Sequence, residues 1–269
     1  MHDMDVPIRR LRRWLDRFDS VRVAVSGGVD SMTLALLAGR VLHQRAGMFH
    51  ARSPAVPPEA TARLERVAQR EGWDLHLLDA GEFADEAYLS NPYRRCFHCK
   101  SHLYTALAAA GPATLLSGAN TDDLHDFRPG LQAAEAHKVR HPFVECDLDK
   151  AAVRRICRHL GYRELSELPA SPCLSSRIET GIRIEAAVLR FVDRVETLLR
   201  QELRAGLVRC RVRPVEIAVQ LDPAVLARLS PIAAADWTKR IRELAAPLDL
   251  PSSIRFEPYR MGSAFLPDR

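Results

Sequence analysis

Apolar residues recur along this chain with two alternating spacings, and the switches between them predict the elements. Val21-Arg22-Val23-Ala24-Val25 is a β-branched run that ends at glycines, which reads as a strand. Ser31 to about His43 is a helical run with Leu34, Leu36, Leu37 and Val41 available for burial. Met48 to Ala51 is a second strand. Pro57-Pro58 opens a helix running to about Glu71, because proline is accepted in a first turn. Asp74 to Leu78 returns as a strand, Lys100 to Ala110 as a helix closed by Gly111-Pro112, and Thr114 to Ser117 as a strand ending in Gly118-Ala119-Asn120. Strands that alternate with helices predict an α/β fold, a parallel sheet with helices on both faces. Ligands of such sheets bind beyond the carboxyl ends of the strands. The loops at Ser26–Ser31, after Ala51 and at Gly118–Asp123 are therefore expected to converge on one crevice.

Asp149 to Leu160 reads as a helix stopped by Gly161. The proline-punctuated Leu168-Pro169-Ala170-Ser171-Pro172 then marks a boundary. Beyond it, Glu185 to about Leu203 and Pro223 to about Leu229 read as helices, and Leu207–Val212, Val215–Leu221 and Ser253–Glu257 as strands. The expected organisation is one domain over residues 1–168 and a smaller α+β domain over 169–269.

The 269 residues are 47% apolar, ordinary for a chain that buries a core. No apolar run approaches the roughly 18 residues of a membrane span. The N-terminus has arginines but neither an apolar signal core nor a small-residue cleavage site, so a cytoplasmic protein is expected. Arg9 to Arg17 reads as a basic amphipathic helix with Leu11, Trp14 and Leu15 on one side. A net charge of +5 suits a small anionic substrate as well as nucleic acid, and arginines spaced along helices usually form a solvated face.

The chemistry begins where the first strand runs into Ser26-Gly27-Gly28-Val29-Asp30-Ser31. Glycines let the backbone turn and approach a ligand. Free amides at the helix start, with the helix dipole, attract an anion. The hydroxyls of Ser26 and Ser31 add donors. Asp30 would repel phosphate alone and makes sense if Mg²⁺ bridges it to phosphates. The loop lacks the lysine of the G-x-x-x-x-G-K-[ST] pattern. It resembles the loop of the PP-loop ATP pyrophosphatases, and Ser117-Gly118-Ala119-Asn120-Thr121-Asp122-Asp123 resembles that superfamily's second nucleotide motif.

Of six cysteines, Cys96 and Cys99 form a C-x-x-C pair just before a helix, and Cys173 lies in Pro172-Cys173-Leu174-Ser175-Ser176-Arg177. Close pairs of this kind point to metal or redox chemistry. Zinc, completed by His98 or His102, and a thiolate-held [4Fe–4S] cluster are both compatible, as are inert thiols at a helix start. Three cysteines would leave one iron of a cluster open for an extra sulfide. Cys146, Cys157 and Cys210 have apolar neighbours and read as small core residues.

With the loop, Cys96-x-x-Cys99, Asp126-Phe127-Arg128-Pro129-Gly130 and Cys173-Leu174-Ser175-Ser176-Arg177 taken together, the chain resembles the LarE family, PP-loop sulfur transferases of nickel-pincer nucleotide biosynthesis. The resemblance covers nearly the whole chain, in order. It implies the adenine nucleotide alpha hydrolase-like fold with a C-terminal domain for substrate binding and oligomerisation. It implies ATP, Mg²⁺ and a [4Fe–4S] cluster on Cys96, Cys99 and Cys173, with Cys173, Asp30 and Glu196 in catalysis. ATP and pyrophosphate would meet Ser26, Gly27, Gly28, Asp30, Ser31, Gly118, Asn120 and Asp123. The substrate, pyridinium-3,5-biscarboxylic acid mononucleotide, would meet Arg128, Ser176, Arg177, Arg209 and Arg211. A sulfide donor and a homo-oligomer are also implied. Arg209 and Arg211 share one face of a strand by period two; a solvated strand edge is the plain alternative, as a solvated helix face is for Glu196. Gln220 stands near a position where the resemblance leads one to expect an acid.

A tRNA thiolase of the TtcA type also combines a PP-loop with three cysteines, but no RNA-binding module or flanking zinc knuckle is recognisable here. A nucleotide- or cluster-binding regulator without turnover is the rival outside enzymes.

Overall fold

A computed structural model of the chain describes residues 5–125 and 128–260. Asp126 and Phe127 of the Asp126–Gly130 motif lie outside these. The described residues form two compact units, those within 1–83 and 96–171 making one and those within 84–95 and 172–269 the other.

The first unit is built on four strands, β1 (Val21–Ala24), β2 (Ala46–Ala51), β3 (Asp74–Leu78) and β4 (Thr114–Leu116), in the order β3-β2-β1-β4. All neighbours are parallel, with Val23 opposite Met48 on one side and Leu116 on the other. This is the expected parallel sheet of the PP-loop type, with helices on both faces. The helix Val29–Leu42 is apolar nearly all round, and Leu34, Leu36 and Leu37 are buried. A helix of that composition belongs inside, and it packs among the sheet, the helix Asp5–Leu15 and the helix Lys150–His159. The first of these realises the basic N-terminal helix, with Leu11 and Leu15 in the core and the Trp14 indole donating to Glu145 Oε2 at 3.0 Å. A second cluster, including Phe49, Leu107, Leu115 and Ala133, covers the other face of the sheet.

In the second unit, β5 (Val208–Val212) pairs antiparallel with β6 (Ile217–Leu221), which pairs parallel with β7 (Ile254–Pro258). Strand alternation divides this small sheet. Val208, Cys210, Val212, Ile217, Val219 and Leu221 form an apolar set, while Arg209, Gln220 and Glu257 stand in register in one row of the opposite set. The helix Ala186–Leu203 packs on β5 through an apolar stripe that includes Leu189, Val192 and Leu199. A helix absent from the sequence reading, Pro231–Ala245, is capped by the Ser230 hydroxyl, which accepts from Ala233 N, and buries Trp237, Ile241 and Ala245 at four-residue intervals.

The division of the chain differs from a single cut after residue 168. Residues 84–95 join the C-terminal unit because Asn91 Nδ2 donates to the carbonyls of Glu179 at 2.9 Å and Ile182 at 2.8 Å, and the Tyr88 hydroxyl meets Ser175 Oγ at 2.7 Å. Among the described residues, no helix is long and apolar enough to cross a membrane.

Candidate functional site

The turn from β1 into the helix Val29–Leu42 is held open by its own side chains. Ser26 N donates to Ser31 Oγ at 3.0 Å, the two hydroxyls lie 3.0 Å apart, and Ser31 Oγ donates to Gly28 O at 3.2 Å. Gly27 has φ +81°, and a Cβ there would sit 2.7 Å from the Ala60 carbonyl. Backbone conformation and packing both require glycine at this point. At Gly28 the nearest atom to an added Cβ is Ser26 Oγ at 3.6 Å, so the protein itself leaves that side clear. Gly28 is also the N-cap, and no side chain caps the helix. The first amides of the helix therefore have no capping side chain at the positive end of the dipole.

Asp30 sits in the first turn of that helix, half-buried. Its Oδ2 is bound by Lys150 Nζ, and its Oδ1 is buried without a hydrogen-bond partner among the described residues. Burial pushes its carboxyl above the usual carboxylate range; the hydrogen bond and charge of Lys150 pull it back in part, and the charge of Asp123 adds to the push. A buried carboxylate oxygen without a donor is a position for a cation. Lys150 was not singled out in the sequence. It is the first residue of the helix Lys150–His159, whose N-cap Asp149 accepts from Ala152 N at 2.6 Å. Its contact with Asp30, 120 residues away in sequence, could be found only by folding the chain.

The second nucleotide motif packs directly on the first. A Cβ at Gly118 would lie 2.7 Å from Ser31 N, so only glycine lets the two loops touch. Asn120 is buried, its N–H donating to Asp123 Oδ2 at 3.1 Å and its Oδ1 accepting from Asp122 N at 3.1 Å. Asp123 Oδ1 pairs with exposed Arg128 at 2.9 Å. Ser117 Oγ meets His141 Nδ1 at 2.8 Å, and burial holds that imidazole below its ordinary pKa. Ser26, Gly27, Gly28, Asp30, Ser31, Gly118, Asn120 and Asp123 thus fall in two adjoining loops at the carboxyl ends of β1 and β4. The helix Pro58–Glu71, which follows the loop after β2, places the Ala60 carbonyl beside Gly27, and its Arg63 donates to Gly27 O at 2.9 Å.

Cys96 and Cys99 lie within the helix Arg95–Ala109 rather than before it, and both are half-buried. Three residues apart, they stand on one side of its first turns, at the end whose dipole favours thiolate. Gly130 of the Arg128-Pro129-Gly130 segment packs against the same helix, with an added Cβ 3.1 Å from Lys100 Cγ. Cys173 is exposed and belongs to the other unit. Among the described residues, no three His, Cys, Asp or Glu side chains form one metal-binding group. Cys146, Cys157 and Cys210 are buried, and burial raises all three thiols, as expected of core residues.

In the second unit, Cys173 precedes the 3₁₀ turn Leu174–Arg177, which lies along the free edge of β5 through the Ile178–Val212 bridge. Arg177, expected at the substrate, is instead fully engaged within the protein. Its Nε and Nη2 donate to Glu196 Oε1 and Oε2 at 2.9 and 3.0 Å, and its Nη1 to the carbonyls of Pro172 and Cys173 at 2.7 and 3.1 Å and to Ser176 Oγ at 3.0 Å. Burial opposes the Arg177 charge, but Glu196 outweighs it and the guanidinium is held above its ordinary pKa. Glu196 is 1% exposed and also accepts from Cys210 N at 2.9 Å, capping the strand edge. This geometry excludes a solvated helix face for Glu196, whose carboxylate is taken up by Arg177 and Cys210 N. The pair positions the Cys173 turn on the sheet.

Arg209 and Arg211 share a face, as period two requires, but they are buried rather than a solvated edge. Arg211 donates through Nε to Gln220 Oε1 at 2.7 Å, through Nη1 to Ser176 O at 3.0 Å and through Nη2 to Arg260 O at 3.4 Å. Burial, then the charge of Arg177, lowers the pKa of Arg209 and brings that of Arg211 down to about 10.

No family model matches the chain. It is 38% identical to the uncharacterized protein slr1717 of Synechocystis over 214 residues, 78% of each chain. It is 24% identical to the uncharacterized protein MJ0830 of Methanocaldococcus jannaschii over 193 residues, 70% of this chain and 72% of the relative. It is 28% identical to the pyridinium-3,5-bisthiocarboxylic acid mononucleotide synthase of Lactiplantibacillus plantarum over 198 residues, 72% of this chain and 70% of the relative. The chain belongs to the family of the Synechocystis protein slr1717, and its likeness to the Lactiplantibacillus synthase supports placing it among LarE-like proteins.

Proposed function

We propose that the chain is an ATP-dependent sulfur transferase that converts the carboxylates of pyridinium-3,5-biscarboxylic acid mononucleotide to thiocarboxylates, a step of nickel-pincer nucleotide synthesis. The observation that carries the reading is the pairing of uncapped helix amides at Gly28 with the partnerless Oδ1 of Asp30. That pairing offers donors for a polyphosphate and one anionic oxygen for its metal. The product named in the Lactiplantibacillus relative supplies the substrate class.

A carboxylate is a poor electrophile. Its oxygen attacks the α-phosphorus of ATP, pyrophosphate leaves, and an acyl-adenylate forms. A sulfur nucleophile then attacks the acyl carbon, AMP leaves with the electron pair of the broken C–O bond, and a thiocarboxylate remains. The cycle repeats on the second carboxylate. Ser26, Ser31 and the amides after Gly28 hold the departing pyrophosphate, with Gly118, Asn120 and Asp123 on the nucleotide side. The unpaired Oδ1 of Asp30 would hold Mg²⁺, which would supply positive charge against the separating phosphates. Lys150, which pairs with Asp30 at the mouth of this loop, supplies a cation beside the phosphate oxygens. Arg209, Arg211, Ser176 and Arg128 bind the substrate's anionic groups. Cys96, Cys99 and Cys173 would be the thiolates that hold a [4Fe–4S] cluster, whose open iron would carry sulfide from an external donor. The protein works as a homo-oligomer.

The test is anaerobic reconstitution with iron and sulfide, followed by assay with ATP, Mg²⁺ and the biscarboxylate nucleotide. AMP is expected in step with sulfur incorporated, read by mass spectrometry. ATP binding without AMP or pyrophosphate release in the presence of that substrate overturns the reading in favour of a regulator.

A further inference from the structure

Arg211 is 5% exposed, yet among the described residues its hydrogen-bond partners are three neutral oxygens, those of Gln220, Ser176 and Arg260. Buried guanidinium groups usually meet a carboxylate. The neighbouring Arg177 shows the usual solution in its two-pronged bond to Glu196. A carboxylate is also within reach of Gln220 itself. Gln220 lies in register with Glu257 on the next strand, and its Nε2 donates to Glu257 Oε1 at 2.8 Å. Glu257 in turn is bound by Arg213 at 2.7 Å and Arg255 at 3.2 Å, and Glu216 takes Arg213 at 2.7 Å and Arg255 at 2.6 Å. Two acids and two arginines there balance one another. Gln220 therefore stands as a neutral spacer between a balanced surface network and Arg211, which among the described residues has no carboxylate bonded to it.

We propose that Gln220 sets the anion affinity of the second unit, aiming the Arg211 guanidinium through its Oε1 while leaving the positive charge for a ligand phosphate. The inference rests on Arg211 belonging to the substrate site proposed above. Gln220 fixes the Nε edge and Ser176 O fixes Nη1. The 3.4 Å contact of Nη2 with Arg260 O is the longest of the three and the one an incoming phosphate oxygen replaces. The burial that brings Arg211 to about pKa 10 makes its charge costly without a ligand and correspondingly receptive to one. A glutamate at 220 would aim the same edge but cancel the charge.

The experiment measures binding of nicotinic acid mononucleotide, a pyridinium 3-carboxylate nucleotide, at pH 8 by calorimetry, with thermal unfolding as the check on folding. Gln220→Glu keeps an acceptor for Arg211 and is expected to weaken binding by about tenfold or more. Gln220→Met removes the aim but keeps the charge, and a smaller loss of about threefold is expected, with the wild-type salt dependence retained. If Gln220→Met loses as much as Gln220→Glu, the residue acts by orientation alone and the charge argument is overturned. Should Gln220→Glu fail to fold, a flattened salt dependence in Gln220→Met overturns it equally. Arg211→Ala separates the two levels: unchanged affinity there removes the underlying substrate site, whereas a loss there with wild-type affinity in Gln220→Glu removes only the role of Gln220.

Discussion

In the first unit an anion is offered backbone: uncapped amides at a helix start, two short hydroxyls and glycines that keep the approach clear. In the second unit it is offered side-chain charge: buried guanidinium groups whose positions depend on partners from three strands and a helix. A backbone site is indifferent to most substitutions around it, since every residue carries the same amide, but is intolerant of a Cβ or a displaced turn. A guanidinium site inverts this. It tolerates backbone drift and depends on each hydrogen-bonding neighbour, because a buried charge without partners is expensive.

The comparison breaks most sharply at Arg177. Arg177→Met leaves Glu196 buried and unpaired, and a loss of about 3–5 kcal/mol in urea unfolding of the C-terminal unit is expected. Combining it with Glu196→Leu should restore most of that loss; failure to do so would mean that the pair does more than satisfy its own charges. Next in size is Asp30→Asn, expected to slow AMP formation by ~100-fold or more while leaving nucleotide-free folding intact. Its stability effect has a definite sign. Folding raises the Asp30 pKa, so the ionised carboxylate costs stability, and that cost appears as pH rises from the unfolded value through the raised folded one. At neutral pH the asparagine variant should be no less stable than the wild type in thermal melts, and AMP formation by the wild type should fail on the acid side at a higher pH than an ordinary carboxylate would give. Gly27→Ala meets both a left-handed φ and the Ala60 carbonyl, and a loss of about 1–3 kcal/mol is expected, read by chemical denaturation together with weakened ATP binding. The smallest effect is at Asp149, whose removal as N-cap of the helix carrying Lys150 should cost about 1 kcal/mol, with only a modest change in AMP release. A large catalytic loss in Asp149→Ala would show that Lys150 needs closer positioning than its ion pair suggests.

How much was legible differs between the two units in the same way. The strand, loop and helix around Ser26–Ser31 were readable because their causes are local: β-branched residues, two glycines and an apolar helix in sequence order. The contact of Gly118 with Ser31 was implied by the rule that parallel strands place their loops at one end. Lys150 was not readable, since its pairing with Asp30 spans 120 residues. The Arg95–Ala109 helix begins earlier than its apolar pattern suggests and takes Cys96 and Cys99 inside it.

By itself the amino-acid order determined the alternating strands and helices, the glycine loop, the placement of Arg209 and Arg211 on one face, and the core character of Cys146, Cys157 and Cys210. Each follows from residue type at a spacing of a few positions. Only the tertiary structure decided that Arg177 spends its guanidinium on Glu196, that Arg211 meets a neutral glutamine, that Asp30 keeps one oxygen bare, and that residues 84–95 belong with the C-terminal unit. Those outcomes depend on which polar groups are driven into the same buried space, and burial is a property of the packed whole rather than of any stretch of chain.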